Sequence, residues 1–144
     1  MDNLQNVKDE LIKHKIKPSL IRIKVLECLR STREHPDVEK IYQKLLKDVP
    51  TLSRTSIYNA LKVMVEKGII KEIMIEENEI RYDGINERHA HLKCIKCNKL
   101  YDLKLKCKSC LKSADLQEVK IFDEHIYLVG ICKKCLKKIK NQDV

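Results

Sequence analysis

The sequence predicts an α+β protein: an N-terminal winged helix-turn-helix domain followed by a small α/β dimerisation domain with a four-cysteine zinc site. Three observations predict it. Apolar residues recur at helical spacing through the first half, and two β-rich runs follow them. Three CxxC pairs mark the second half. At the start of that half, His89 to Cys97 reads HAHLKCIKC, with two imidazoles and two thiols in nine residues.

Leu4, Val7, Leu11 and Ile12 form a helical stripe over Leu4 to His14. Pro18-Ser19 opens a second helix, with Ile23, Leu26 and Leu29 on one side. Cys28 lies beside that stripe and reads as a small buried hydrophobe. Arg33 to Asp37 is a turn, in which Pro36 biases His35 away from helix and Asp37 caps the next one. That third helix carries Ile41 and Leu45, and Tyr42 and Leu46, at i, i+4. Ser53 caps a fourth helix, in which Ile57, Leu61 and Val65 repeat every four residues, and Gly68 stands where a C′ glycine belongs. IIKEIMI and EIRYD, joined by Glu76-Glu77-Asn78, read as a hairpin. Helices followed by a two-stranded wing are the winged helix-turn-helix pattern, with a generic helical domain plus hairpin as the plainer reading. Its fourth helix, entering a major groove, exposes Arg54, Thr55, Ser56, Tyr58, Asn59 and Lys62.

Asp83-Gly84-Ile85-Asn86 is the expected boundary, giving a DNA-binding domain over 1–84 and a dimerisation and metal-binding domain over 85–144. Strands are expected at His89–Cys94, Leu100–Leu103 and around Tyr127–Ile131, a helix around Leu111–Val119, and a basic tail after Cys135. A domain of about sixty residues commonly needs a metal or a partner subunit, and dimerisation is expected.

Thirty Lys and Arg against 21 Asp and Glu leave a net charge of +9. That sign suits a polyanion such as nucleic acid, although a lysine-rich surface also serves solubility. No signal peptide is read at the N-terminus and no apolar run approaches ~18 residues, so no membrane span is expected and the location reads as cytoplasmic. Seven cysteines in a reducing compartment point to metal thiolates rather than a disulfide framework.

Cys94, Cys97, Cys132 and Cys135 form CxxC…CxxC, for which a structural, tetrahedral Zn²⁺ with four thiolates is the default. Cys107 and Cys110 make a third pair. They could replace one of the others, bind a separate ion, form a thiol switch or stay unligated. His35, Asp83, His89, His91 and Asp102 are a mixed N/O set of the kind that suits Fe²⁺ or Mn²⁺. Spacing alone singles out only His89 and His91, which share a strand face. His35 also reads as a turn histidine, and the aspartates as caps or surface charges.

At these residues the sequence resembles the ferric uptake regulator (Fur) superfamily, most closely its peroxide-responsive repressor branch. The segments HPDVEKIYQKL, LSRTSIYNALKVMVEKGII, RYD, HAHLKCIKC and CKKC carry the resemblance, which spans essentially the whole chain. It implies a homodimer bound to double-stranded operator DNA with an inverted repeat. It implies structural zinc on Cys94, Cys97, Cys132 and Cys135, and a regulatory Fe²⁺ or Mn²⁺ on His35, Asp83, His89, His91 and Asp102. Asp83 resembles the peroxide sensors, because iron-uptake regulators usually have Glu there. Tyr58 matches a tyrosine placed against bases, and Arg22 matches an arginine ahead of the second helix's apolar run. Three features depart from the pattern. Asn98 replaces the glycine of CxxCG and tolerates the left-handed conformation. Cys107 and Cys110 are additional, and the stretch before Cys132 is about one residue shorter, which leaves His125 as a surface or core histidine.

The implied function is a metal-dependent, peroxide-sensing transcriptional repressor. Metal would clamp the winged helices at half-site spacing, and iron-catalysed oxidation of His89 or His35 would release it. This is stoichiometric self-damage and not turnover, so no enzyme is expected. The nearest alternative is a repressor of the same fold that reports iron or manganese availability. A mononuclear non-haem iron enzyme is a rival of another class, disfavoured because the basic half would be idle. A protein-binding zinc-ribbon adaptor is a third.

Overall fold

Four helices precede the first strand: α1 (Asp2–Lys13), α2 (Leu20–Arg30), α3 (Val38–Leu46) and α4 (Arg54–Glu66). The wing follows as β1 (Lys71–Glu76) and β2 (Glu79–Asp83), and then β3 (His89–Cys94), β4 (Leu100–Lys104), β5 (Tyr127–Gly130) and α5 (Lys133–Gln142). This computed structural model describes residues 2–76, 78–85, 87–106 and 116–142. The chain divides into two units, Met1–Asn86 and Glu87–Val144. No helix among the described residues is long and apolar enough to cross a membrane.

Local chemistry sets the ends of the first unit's helices. Ser19, Asp37 and Ser53 cap α2, α3 and α4, accepting from the N–H groups of Arg22 (3.3 Å), Lys40 (2.8 Å) and Ser56 (3.1 Å). Gly68 takes φ +72° and closes α4, with Ile69 N–H donating to Met64 and Gly68 N–H to Val65. The core is built from Leu11, Leu26, Leu29, Ile41, Ile57, Leu61 and Met64, all at most 1% exposed. Cys28 is buried beside them, as expected of a small apolar residue. The apolar stripe on α1 is narrower than the sequence predicts: Val7 and Leu11 are buried, while Leu4 and Ile12 are half exposed. Lys71↔Asp83 to Met74↔Ile80 pair in the antiparallel wing.

The second unit is a three-stranded sheet in the order β4-β3-β5, with β3 antiparallel to β4 and parallel to β5. Two expectations change here. Residues 116–119 form a turn rather than the end of a helix, with Glu118 at φ +63°, and the rest of the expected helix, 111–115, lies outside the described residues. The basic segment around Cys135 is the helix α5 rather than a tail. Its lysines favour helix, and Lys140 in the last turn complements the helix dipole.

Candidate metal centres and recognition helix

The pairing of β3 sorts its side chains onto two faces. Leu92 stands opposite Tyr101 and His91 opposite Asp102, so Cys94 shares a face with Tyr101 while His89 and His91 share the other with Asp102. One short strand thus supplies both candidate centres of this unit.

On the first face, parallel pairing of Cys94 with Gly130 brings the chain after β5 beside the Cys94–Cys97 turn. Cys132 N–H then lies 3.3 Å from Cys94 Sγ, and α5 begins and delivers Cys135. Four thiolates about 2.3 Å from one tetrahedral ion stand about 3.8 Å apart. Cys97 Sγ and Cys132 Sγ are 3.9 Å apart, and the four sulfurs lie within 4.8 Å of one another, so the set fits zinc. The turn between Cys94 and Cys97 is closed by Asn98, which adopts φ +57° and donates its N–H to the Cys94 carbonyl at 2.9 Å. Asparagine therefore does the work of the glycine it replaces.

The thiols are already biased. The N–H groups of Cys132 and Cys97 hold the Cys94 thiol down at about 6. Cys132 is lowered too, chiefly by the Tyr101 hydroxyl. Cys135 moves the other way, to about 12, because it hydrogen-bonds to Cys132 and burial disfavours its charge. A bound cation favours the thiolate form of the cysteines that ligate it. Tyr101 is a site residue that the sequence did not single out: its hydroxyl is 3.6 Å from Cys97 Sγ.

On the second face, His89 Nε2 and His91 Nε2 are 3.0 Å apart, and each is 3.6 Å from Asp102 Oδ1. Two donors about 2.1 Å from one ion and at 90–120° stand about 3.0–3.6 Å apart, so this triangle has the size of one face of a coordination shell. His89 Nδ1 meets the Glu87 carbonyl, a contact that puts the ring proton on Nδ1 and leaves Nε2 with its lone pair.

The first unit holds a pair of its own. His35 and Asp83 are 1% and 2% exposed, with His35 Nε2 3.4 Å from Asp83 Oδ2. Backbone geometry sets both. Tyr82 N–H donates to the Pro36 carbonyl at 3.1 Å, joining the wing to the turn. His35 takes φ +51°, a strained conformation for a residue before proline. Asp83 Oδ1 accepts from Ile85 N–H at 2.8 Å, which leaves Oδ2 facing His35. Gly84 follows with its backbone against α2: a Cβ there would stand 2.7 Å from Leu29 Cβ and 2.8 Å from its carbonyl carbon. A buried carboxylate beside a buried imidazole on strained backbone has the features of a functional position.

Along α4, Arg54, Thr55, Tyr58, Asn59 and Lys62 are exposed, with Tyr58 at 56%. Ser56 is half-buried, its hydroxyl 2.8 Å from that of Ser53. Arg22 is half-buried on α2 and donates from Nη1 to the Lys17 carbonyl at 2.8 Å. His125 is a surface histidine 3.0 Å from Asp123. Cys107 and Cys110 lie outside the described residues.

Comparison with known proteins adds four findings. Residues 13–129 match the model of the ferric uptake regulator family. The chain is 26% identical over 147 residues to the peroxide-responsive repressor PerR of Staphylococcus aureus, covering 92% of this chain and 99% of that one. Among solved structures, the peroxide stress regulator of Campylobacter jejuni is 28% identical with a TM-score of 0.60, covering 92% of this chain and 98% of that one. The ferric uptake regulator Fur of Helicobacter pylori, described as having three functional metal-binding sites, superposes with a TM-score of 0.66 at 20% identity, over 94% of this chain and 92% of that one. At that identity the likeness concerns the fold alone.

Proposed function

The chain belongs to the ferric uptake regulator family, a family of metal-responsive transcription regulators rather than enzymes, and from that premise we propose that it is a peroxide-sensing repressor that binds an inverted-repeat operator as a homodimer in the cytoplasm. The observation that carries the reading is the histidine–aspartate triangle of His89, His91 and Asp102, with its 3.0 and 3.6 Å edges.

Three donors leave a divalent ion of the iron or manganese kind short of its usual five or six. His35 and Asp83 offer two more, buried and preset, on the DNA-binding half. In the proposed mechanism the five residues take one regulatory Fe²⁺ or Mn²⁺, while Cys94, Cys97, Cys132 and Cys135 hold structural zinc. Shared ligation ties the wing and the turn before α3 to the sheet of the second unit. Ligation must be tighter in the arrangement that fits an operator, because equal affinity for two arrangements shifts neither. A coupling of ~1–3 kcal/mol corresponds to roughly 5–150-fold in operator affinity.

DNA as the partner is supported by the net charge of +9 and by the exposed residues of α4. A second copy as the other partner is supported by β5, an edge strand whose Tyr127, Leu128 and Val129 are 40%, 45% and 65% exposed.

The peroxide half of the proposal rests on Asp83 and on the peroxide-responsive relatives. A bound ferrous ion would supply peroxide reduction, which manganese does not. In net terms an imidazole C–H of His89 or His35 and one peroxide would give the oxygenated ring and one water, the peroxide taking two electrons from the ring and the iron, oxidised in the first step, returning to the ferrous state in the second. The oxygenated ring would be a poorer ligand, and the clamp would loosen. The test is intact mass after one equivalent of peroxide. The iron-loaded chain should gain one oxygen, mapped to His89 or His35, and lose operator binding, while the manganese-loaded chain should do neither. An unchanged mass with binding retained would remove the peroxide reading and leave a repressor that reports metal availability.

A further inference from the structure

Arg54 is the first residue of α4, and its guanidinium is held from two directions by α3. Nε donates to Glu39 Oε2 at 2.7 Å and Nη2 to Glu39 Oε1 at 2.9 Å. The guanidinium carbon sits 4.1 Å from the centroid of the Tyr42 ring. Glu39 is itself fixed, accepting from Gln43 Nε2 at 2.9 Å. The side chains of Arg54 and Glu39 nevertheless remain 54% and 53% exposed. An exposed ion pair adds little stability, so the arrangement is better understood through what it does to the direction of Arg54.

An arginine that meets a phosphate works through its net charge and through counterion release. Arg54 and Glu39 together are close to neutral, and Glu39 would set a carboxylate near the same phosphate. A phosphate contact is the poorer use of this pair. Base reading needs geometry instead. The carboxylate occupies the edge formed by Nε and one hydrogen of Nη2. The other edge, formed by Nη1 and the second hydrogen of Nη2, offers two parallel N–H groups. Their spacing matches N7 and O6 of guanine, the most frequent specific contact in a major groove. The first residues of a recognition helix are those that reach base edges. The Tyr42 ring and the Glu39 carboxylate restrict the guanidinium to one plane, which lowers the entropy lost on contact.

We propose that Arg54 reads a guanine in each operator half-site, with Glu39 and Tyr42 as the positioning residues that aim it. This rests on α4 being the DNA-reading helix. It adds a specific base contact to that reading and assigns roles to two residues of α3.

Selection from a randomised duplex library with the manganese-loaded dimer tests it, together with the salt dependence of operator binding. The wild type should enrich a guanine at one symmetric position of each half-site. Arg54→Ala should lose that preference by roughly 5- to 150-fold and keep the other positions. Glu39→Ala should weaken the preference several-fold and steepen the salt slope by about one phosphate contact, because Arg54 is then free to meet the backbone. Arg54→Lys should restore the guanine only in part, since an ammonium also donates to N7 and O6 but lacks the planar fork that Glu39 and Tyr42 aim. The same selected sites for Arg54→Ala and wild type would overturn the inference. So would a loss of affinity that is uniform across sequences, the mark of a phosphate contact. Enrichment of no sequence by the wild type would instead overturn the DNA reading, and the inference with it.

Discussion

Asp102 stands directly across the β3–β4 ladder from His91, with its Oδ1 3.6 Å from His91 Nε2. Two residues eleven apart in the chain are neighbours because the strands between them turn back at the Cys94–Cys97 knuckle. The register that makes the zinc turn also makes the histidine–aspartate triangle, so damage to one centre should be felt at the other.

Asp83→Glu distinguishes the two kinds of metal-responsive repressor. Asp83 is 2% exposed, and its Oδ1 and Oδ2 are engaged by Ile85 N–H and His35. A longer carboxylate cannot keep both contacts with the backbone unmoved. A peroxide sensor should keep metal-dependent operator binding in this variant but oxidise more slowly, read as oxygen incorporation per minute by mass spectrometry. A repressor that senses only metal supply should show the same metal response as the wild type.

Gly84→Ala tests how the wing is seated. The new methyl would press on Leu29 Cβ at 2.7 Å and on backbone behind it, in a well-packed core. Overpacking of this kind costs about 1–3 kcal/mol, and denaturant unfolding should show a loss in that range. Because Asp83 precedes Gly84, affinity for Mn²⁺ should fall as well, while zinc content stays the same.

Tyr101→Phe removes the hydroxyl 3.6 Å from Cys97 Sγ and leaves the ring in place. Hydrogen-bond partners of metal ligands commonly account for 10–100-fold in metal affinity. Transfer of zinc to a competing chelator should therefore occur at roughly ten-fold lower chelator concentration, with circular dichroism of the zinc-loaded chain unchanged.

Glu39 has its carboxyl lowered from its ordinary 4.5 to about 2 by the hydrogen bond from Arg54, with Gln43 adding to it. The depression fixes the sign. Its contribution is complete above pH 4.5 and is lost as the pH falls from 4.5 through about 2. Both partners are exposed, so salt should weaken the effect. A carboxyl titration by NMR should give a midpoint near 2 in the wild type, moving up toward 4.5 in Arg54→Ala.

Legibility in the sequence followed the range of the interaction. Ser53, Asp37 and Gly68 act on backbone within a few residues, and their roles follow from position alone. His89 and His91 share a face through the two-residue period of a strand, and CxxC pairs carry their own geometry. Asn98 was legible in the same way, since few residues tolerate φ +57°. Asp102 and Tyr101 depend on register between strands, which spacing does not specify: Asp102 is legible only as one member of a mixed N/O set, and nothing in the spacing singles out Tyr101. Glu39 acts across the junction of α3 and α4, fifteen residues from Arg54, beyond the reach of helical periodicity. The turn at 116–119 and the helix α5 reversed two local expectations, because weak apolar periodicity in a lysine-rich stretch does not separate helix from loop.

In the proposed mechanism His35 and Asp83 join His89, His91 and Asp102 on one ion, and this ligation sets operator affinity. Its most direct measurement is operator affinity by fluorescence anisotropy during Mn²⁺ titration, on zinc-loaded wild type, His35→Ala and Asp83→Ala. The wild type should tighten by roughly 5–150-fold, saturating at about one Mn²⁺ per chain beyond the zinc, while both variants keep zinc and fail to tighten. Variants that took up Mn²⁺ and bound the operator as the wild type does would contradict the claim.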